Sequence, residues 1–352
     1  MALKPHEAGF TTKPGFIRWL TYGFFALIIL VLITGIVINI RQRLNARNAR
    51  PVPDPAKLAL KHTLVAPNLK LKTVAFSSDG KFIVVGCNDG TLKIWDTETG
   101  SLLRSLSGHA RDVRAVAVSP DGRSILSGGA DGTVRLWDAA SFELKQTLSE
   151  HQGEVFAVAF APDGRSFASG GEDNVVIIRD AAGKPQRRLT GHENWIYAIS
   201  FSPDGKTLIS GGSDYSVRVW DTATGAQLKL LNRENTLETV RALAFAPDGR
   251  TFASGGDLLR LWDAQTGALK LTLRGHTDWL RSLAFSPDSR LLATCSNDQT
   301  VRLWDAQDGQ LKHTLNAHAD LTTAVSFSPD GQTLASASDD GTLKLWRVSE
   351  LK

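Results

Sequence analysis

The chain has 352 residues, 40 Lys and Arg against 36 Asp and Glu, a formal charge of +4, and only two Cys beside nine Trp and 31 Gly. Hydrophobic residues make up 42% of it, enough for a sizeable core, while two Cys leave no disulfide framework. Cys87 and Cys295 also lack CxxC spacing, and no GxxxxGK[ST] loop occurs, so neither a zinc site nor a phosphate-cradling loop is indicated.

Residues 1–18 form a short N-terminal tail bearing Lys4, Lys13 and Arg18. Residues 19–40, WLTYGFFALIILVLITGIVINI, carry no charge. At about 1.5 Å per residue, a helix of that length crosses a hydrocarbon core of about 30 Å. A single transmembrane helix is therefore expected, and the apolar run is longer than the core of a cleaved signal peptide. Trp19 and Tyr22 suit one interface, and Arg18 and Arg41 bracket the span. Six cations (Arg41, Arg43, Arg47, Arg50, Lys57, Lys61) follow the span against the three before it, which favours a cytoplasmic location for everything downstream.

Residues 41–57 read as a basic, Pro-rich linker. Its 41–50 stretch suits anionic lipid headgroups, and 51–55, PVPDP, suits an extended spacer. Residues 1–57 hold eight Lys/Arg and two Asp/Glu, so 32 basic and 34 acidic residues remain beyond them. The excess positive charge belongs to the membrane flank, and nucleic-acid binding has no electrostatic footing in the rest.

From residue 58 a unit of about 42 residues recurs seven times. The units close on Trp95-Asp96, Trp137-Asp138, Arg179-Asp180, Trp220-Asp221, Trp262-Asp263, Trp304-Asp305 and Trp346-Arg347. Each also contains one turn, from Ser78-Asp79-Gly80 and Pro120-Asp121-Gly122 to Pro287-Asp288-Ser289 and Pro329-Asp330-Gly331. In the second unit, β-forming runs at 113–118, 125–127, 133–137 and 144–148 are separated by such turn residues. That is a four-stranded antiparallel meander. One such sheet cannot cover both apolar faces, so the units must stack, and a closed ring protects their edges.

The recurring GH…SPDG…SGGxDGTVRLWD pattern, as in Gly108-His109, Ser119–Gly122 and the stretch from Ser127 to Asp138, resembles the WD-repeat β-propeller family over residues 58–352. The resemblance implies an all-β, seven-bladed propeller of four-stranded blades, preceded here by the single transmembrane helix. It also implies that the last blade takes its outer strand from the start of the domain. Residues 58–64, LALKHTL, match 309–315, GQLKHTL, and are expected to pair with the sheet ending at Trp346.

Five of the eight His share one repeat position: His109, His151, His192, His276 and His318. Each has an Asp 22 residues on (Asp131, Asp173, Asp214, Asp298, Asp340) and a hydroxyl four before that Asp (Ser127, Ser169, Ser210, Thr294, Ser336). A Trp stands six after the Asp in four of the five units (Trp137, Trp220, Trp304, Trp346). The residue types match a hydrolase triad, yet an enzyme needs one activated constellation and these repeat around a ring. They resemble the family's internal hydrogen-bond network, so no catalytic, metal or cofactor residue is expected.

Three units depart from the pattern. Unit three has Arg179 for Trp; unit one has Pro67 and Val85 for the His and hydroxyl; unit five has Thr236 for His, a segment 255–260 two residues short, and Asp257 out of register. Either these units have drifted or their altered loops make a specific contact.

The third and fifth residues after the His slot vary from unit to unit. They flank an apolar residue (Val113, Val155, Ile196, Val240, Leu280) and by strand alternation point away from it. In the family such positions contribute to the top-face interaction surface. Carried over, they make Arg114, Phe156, Trp195, Tyr197, Arg241, Trp279 and Arg281 the partner-binding candidates, because aromatics and Arg carry interface hot spots. Phe156 and Tyr197 could equally pack between blades, whereas Trp195 and Trp279 are expected to be exposed. The cations two before each Trp (Lys93, Arg135, Arg218, Arg260, Arg302, Lys344) recur evenly and read as a solvated or inter-blade structural ring. A membrane-anchored scaffold for a protein partner is the leading expectation, as an accessory subunit of a membrane complex. The alternative is a propeller enzyme or redox-cofactor binder with its site in the central channel.

Overall fold

Runs of Val, Ile, Leu and Phe broken by turn residues fold as strands of four to six residues. The computed structural model describes residues 58–232 and 238–348; the apolar 19–40 run, the 41–57 linker and Thr236 lie outside the described residues. No helix among the described residues is long and apolar enough to cross a membrane. The strands form seven antiparallel four-stranded sheets. Blade one runs outward as Leu71–Phe76, Phe82–Cys87, Thr91–Asp96 and Leu102–Ser107, and blades two to six repeat this order.

Successive innermost strands lie side by side: Leu71–Phe76, Val113–Val118, Val155–Phe160, Ile196–Phe201, Ala242–Phe245, Leu280–Phe285 and Thr322–Phe327. The last also neighbours the first, so the ring closes. Blade seven takes its outer strand, Leu60–Val65, from the other end of the domain. Leu64 stands opposite Leu343 and Thr63 opposite Lys344 of the antiparallel Thr342–Arg347. The strand begins at Leu60, two residues later than the 58–64 match, and a bulge follows it. Leu58 is nevertheless buried beside Trp346, and the Arg347 N–H donates to the Ala59 carbonyl at 2.9 Å.

The core lies between blades. Val84, Leu92 and Ile94 of blade one pack on Val113, Val116, Ile125 and Trp137 of blade two. Leu343 and Leu345 of blade seven likewise meet Leu71, Val74 and Ile83 of blade one. Each aliphatic side chain so buried stabilises the ring by about 1.5–3 kcal/mol, and removing any blade would uncover two of these faces.

Close approach is set by small residues in the second strand. A Cβ on Gly128 would come within 2.7 Å of the Val155 side chain, and one on Gly211 within 2.5 Å of Val240. Blade six fills that slot with Cys295 and blade seven with Ala337, both fully buried. This accounts for one of the two thiols as packing, and burial pushes the Cys87 thiol up to about 11.

In five of the seven blades a serine before the turn holds it, and blades three and five have Ala161 and Ala246 there. Ser119 Oγ donates to Asp121 at 2.6 Å, and the Arg123 N–H donates to the same carboxylate at 3.0 Å. Gly122 there has φ 69°; in blade six Ser289 takes the same conformation at φ 62°.

Closure of the ring by Leu60–Val65 has a direct test. A chain lacking residues 1–66 should melt well below one lacking residues 1–57, and Leu64→Ala alone should cost about 2–5 kcal/mol. Equal melting of the two truncations in a thermal scan would contradict closure by this strand.

Candidate functional site

Each complete blade carries a buried relay of four side chains. In blade four the Trp220 Nε1–H donates to Ser210 Oγ at 2.7 Å, Ser210 Oγ lies 2.6 Å from His192 Nε2, and His192 Nδ1 lies 2.8 Å from Asp214. The same relay joins Trp137, Ser127, His109 and Asp131 in blade two. Trp304, Thr294, His276 and Asp298 repeat it in blade six, and Trp346, Ser336, His318 and Asp340 in blade seven.

Proton order follows from the partners. An ionised Asp requires a donor at Nδ1, so a neutral imidazole presents Nε2 as acceptor, and the hydroxyl, already receiving the indole N–H, donates to it. The Asp also accepts the backbone N–H after the His, as Ala110 N to Asp131 at 3.0 Å. All five hydroxyls of the set are fully buried. No substrate reaches such an oxygen, so the triad-like chemistry of these residues is structural.

Burial pushes His109, His276 and His318 below the ordinary imidazole value, His318 to about 4. Burial opposes the charge of Asp131 and Asp214, but hydrogen bonds from the His, the backbone and a hydroxyl outweigh it and hold both at about 2.

One member of the relay had no counterpart in the sequence reading. A hydroxyl two residues after the Asp donates to it: Thr133 at 2.8 Å, Ser216 at 2.9 Å, and Thr300 and Thr342 at 2.7 Å. Thr91 makes the same bond to Asp89 at 2.7 Å in blade one, which has Trp95 but lacks the His and its hydroxyl partner. The recurring Asp-x-Thr/Ser was the available signal.

The departures are partly repaired. Arg179, fully buried where other blades hold Trp, donates from Nη1 to Ser169 Oγ at 3.0 Å and reaches Glu150 at 3.3 Å with Nη2. Blade three thus keeps the donor while exchanging an indole for a cation. In blade five Trp262 still donates to a hydroxyl, Ser254, at 2.9 Å; the two-residue shortening shifts its spacing from ten to eight. Arg260 there pairs with Glu238 at 2.6 Å, mostly out of solvent. Four of the six evenly spaced cations bond within their own repeat: Lys93 to Ser105, Arg218 to Gln227, Arg260 to Glu238 and Lys344 to the Ala317 carbonyl.

Against this uniform frame, the second residue of six innermost strands, or the one just before the strand in blade five, faces the central opening. A cavity of about 480 Å³ there is lined from all seven blades by Lys72, Arg114, Phe156, Tyr197, Arg241, Arg281 and Thr323, joined by Glu154, Glu172, Trp195, Leu321 and Asp339. Six of the seven partner-binding candidates therefore meet at one mouth. The seventh, Trp279, joins them through Arg241.

The aromatic members touch in series. Phe156 lies 5.9 Å from Trp195 and 5.0 Å from Tyr197, and Trp195 lies 6.3 Å from Tyr197. The Arg241 guanidinium sits over Tyr197 at 5.2 Å and over Trp279 at 4.4 Å. Trp195 and Trp279 are 40% and 46% exposed, large values for Trp, whereas Phe156 and Tyr197 are half-buried. The result is one aromatic and guanidinium surface across blades three to six.

Carboxylates at the mouth are mostly paired. Arg114 reaches Glu154 at 3.0 Å, and Lys72 reaches Asp339 at 2.7 Å across the junction of blades one and seven. Among the described residues no group of three or more His, Cys, Asp or Glu could hold a metal ion.

A family model described as WD domain, G-beta repeat (WD40) matches seven segments of the chain: 59–96, 100–138, 142–180, 183–221, 230–263, 267–305 and 309–347. The chain belongs to the WD40 family. The match includes blade five, so its shortened segment is a variant of the repeat and not a foreign insertion. Individual stretches of this WD40 chain are 55% identical over 40 residues to Coronin-7 of Mus musculus and 39% over 46 residues to the general transcriptional corepressor TUP1 of Saccharomyces cerevisiae. A third relative, dynein assembly factor with WD repeat domains 1 of Danio rerio, is 42% identical over 62 residues. These alignments cover 11%, 13% and 18% of the chain, and only 4%, 6% and 15% of the respective relatives. The likeness is to the repeat.

The relay makes stability depend on pH with a definite sign. The folded His pKa values lie below their ordinary 6.5, so stability is whole above about pH 6.5 and declines as pH falls toward about 4. The depressed Asp values add a further loss as pH falls below 3.8 toward about 2. Urea unfolding at pH 7.5 and pH 4.5 should show the lower midpoint in acid. His192→Ala or Asp214→Ala should each cost about 1–3 kcal/mol at neutral pH. An unchanged midpoint in acid, or wild-type stability in both variants, would contradict the relay.

Proposed function

We propose that this chain is a membrane-anchored, non-enzymatic scaffold that docks a protein partner on the channel mouth. The observation carrying it is the continuous surface Phe156–Trp195–Tyr197–Arg241–Trp279, with two exposed Trp on an otherwise repetitive frame. Large aromatics and Arg contribute contact area at little entropic cost and dominate binding energy where they cluster. The buried hydroxyls of the His–Asp sets support a non-catalytic role for those residues. The uncharged 19–40 run supports anchoring, the cation excess after it supports a cytoplasmic domain, and the basic 41–50 stretch supports contact with anionic lipid. A place as an accessory subunit of a larger membrane complex follows from tethering a binding ring beside the bilayer.

Mild-detergent purification followed by identification of copurifying chains supplies the partner. Trp195→Ala and Trp279→Ala should each weaken its binding by more than about 1 kcal/mol, some fivefold, with melting unchanged. Arg135→Ala, within the frame, should leave binding as it was. Full retention of the partner by a folded Trp195/Trp279 double variant would move the interface elsewhere.

A further inference from the structure

Two guanidinium groups at the mouth lack the carboxylate partners their neighbours have. Arg114 is paired with Glu154 and Lys72 with Asp339, but Arg241 and Arg281 form no ion pair among the described residues. Arg281 donates its Nε–H to the neutral Asn297 Oδ1 at 2.6 Å, which leaves its Nη donors unassigned. Among the described residues the Arg241 guanidinium uses only its faces, over Tyr197 and Trp279. A guanidinium held that way keeps its in-plane N–H groups for an acceptor, and its orientation is already fixed.

The two cations also feel each other. Burial, and then the Arg241 charge, push Arg281 below its ordinary value. Asp339 and Asp278 pull the other way, but neither forms an ion pair with Arg281 among the described residues, so the two like charges in this half-buried cavity are relieved by an incoming anion that binds them directly. The aromatic surface beside them takes an apolar group at the same time.

We propose that the channel mouth takes an acidic segment of the partner, with an Asp or Glu carboxylate held between Arg241 and Arg281 and an adjacent apolar or aromatic side chain lying on Trp195 and Phe156. This rests on the docking face proposed above and specifies the chemistry that fills it. A carboxylate is favoured over a phosphate because Glu154, Glu172 and Asp339 line the same cavity and repel a doubly charged group more strongly. A basic segment would have to compete with Arg114 and Lys72 for carboxylates already paired.

Panning a random twelve-residue peptide library on the full-length chain in detergent micelles tests this, with wild type, R241Q/R281Q and W195A/W279A in parallel and thermal melts to establish folding of each. Selected peptides should be enriched in Asp or Glu beside Leu, Phe or Trp. Their affinity, read by fluorescence anisotropy, should fall about tenfold or more in R241Q/R281Q and weaken with added salt. Peptides lost from W195A/W279A but kept by R241Q/R281Q would overturn the acidic assignment while leaving the docking face. Peptides insensitive to both pairs would overturn both. Enrichment of Lys and Arg, no enrichment at all, or much tighter binding once the carboxylate is replaced by phosphoserine would each overturn the proposal.

Discussion

A hydroxyl buried in the middle of a blade must satisfy two partners at once, and the remainder of the ring depends on how it does so. Ser210 receives the Trp220 N–H and serves the His192 ring, whose far nitrogen meets Asp214. That chain of bonds ties the third strand to the second, and the second to the loop before the first. An unsatisfied polar group in that position would cost about 1–3 kcal/mol, so the arrangement fixes one geometry for loops that would otherwise have many. Because those loops lead directly into the innermost strands, the relay also positions the residues at the mouth.

Repetition of the frame is what lets variation be read as function. Val113, Val155, Ile196, Val240 and Leu280 are buried alike, while the residues on either side of them differ in size and charge. On the side of blades three to six, Phe156, Trp195, Tyr197, Arg241 and Trp279 among them lie in series within stacking distance. On the side of blades seven, one and two, Lys70 and Lys72 pair with Asp339, and Arg114 pairs with Asp112 and Glu154. The mouth is thus divided into a half closed by its own charges and a half with capacity for a partner.

Much of this was legible in the sequence, for reasons that show where such reading stops. The period and the recurring His–Asp spacing carried the seven blades and the relay because each is set by the local repeat. Strand alternation carried the candidates at the mouth for the same reason. The stacking of Arg241 between Tyr197 and Trp279 was not legible, since those residues lie about a repeat apart and only the curvature of the ring brings them together. Whether Phe156 and Tyr197 were buried depended on that same curvature. Arg179 was visible as a departure, but its donation to Ser169 was not, because a guanidinium does not announce itself as a substitute for an indole N–H. Ser254 was overlooked because a two-residue deletion displaced it from the expected spacing.

The claim on which all this rests is that the His–Asp sets are ordered structural relays. Nitrogen-15 NMR of the three imidazoles of His109, His276 and His318 at pH 7 tests it directly, since burial lowers the pKa of each and protonated and unprotonated ring nitrogens resonate far apart. The structure requires the neutral tautomer with hydrogen on Nδ1 and a bare Nε2 in every one. Imidazolium signals, or the opposite tautomer, would mean that the hydroxyl does not donate to the ring and that the relay is not what holds the blades.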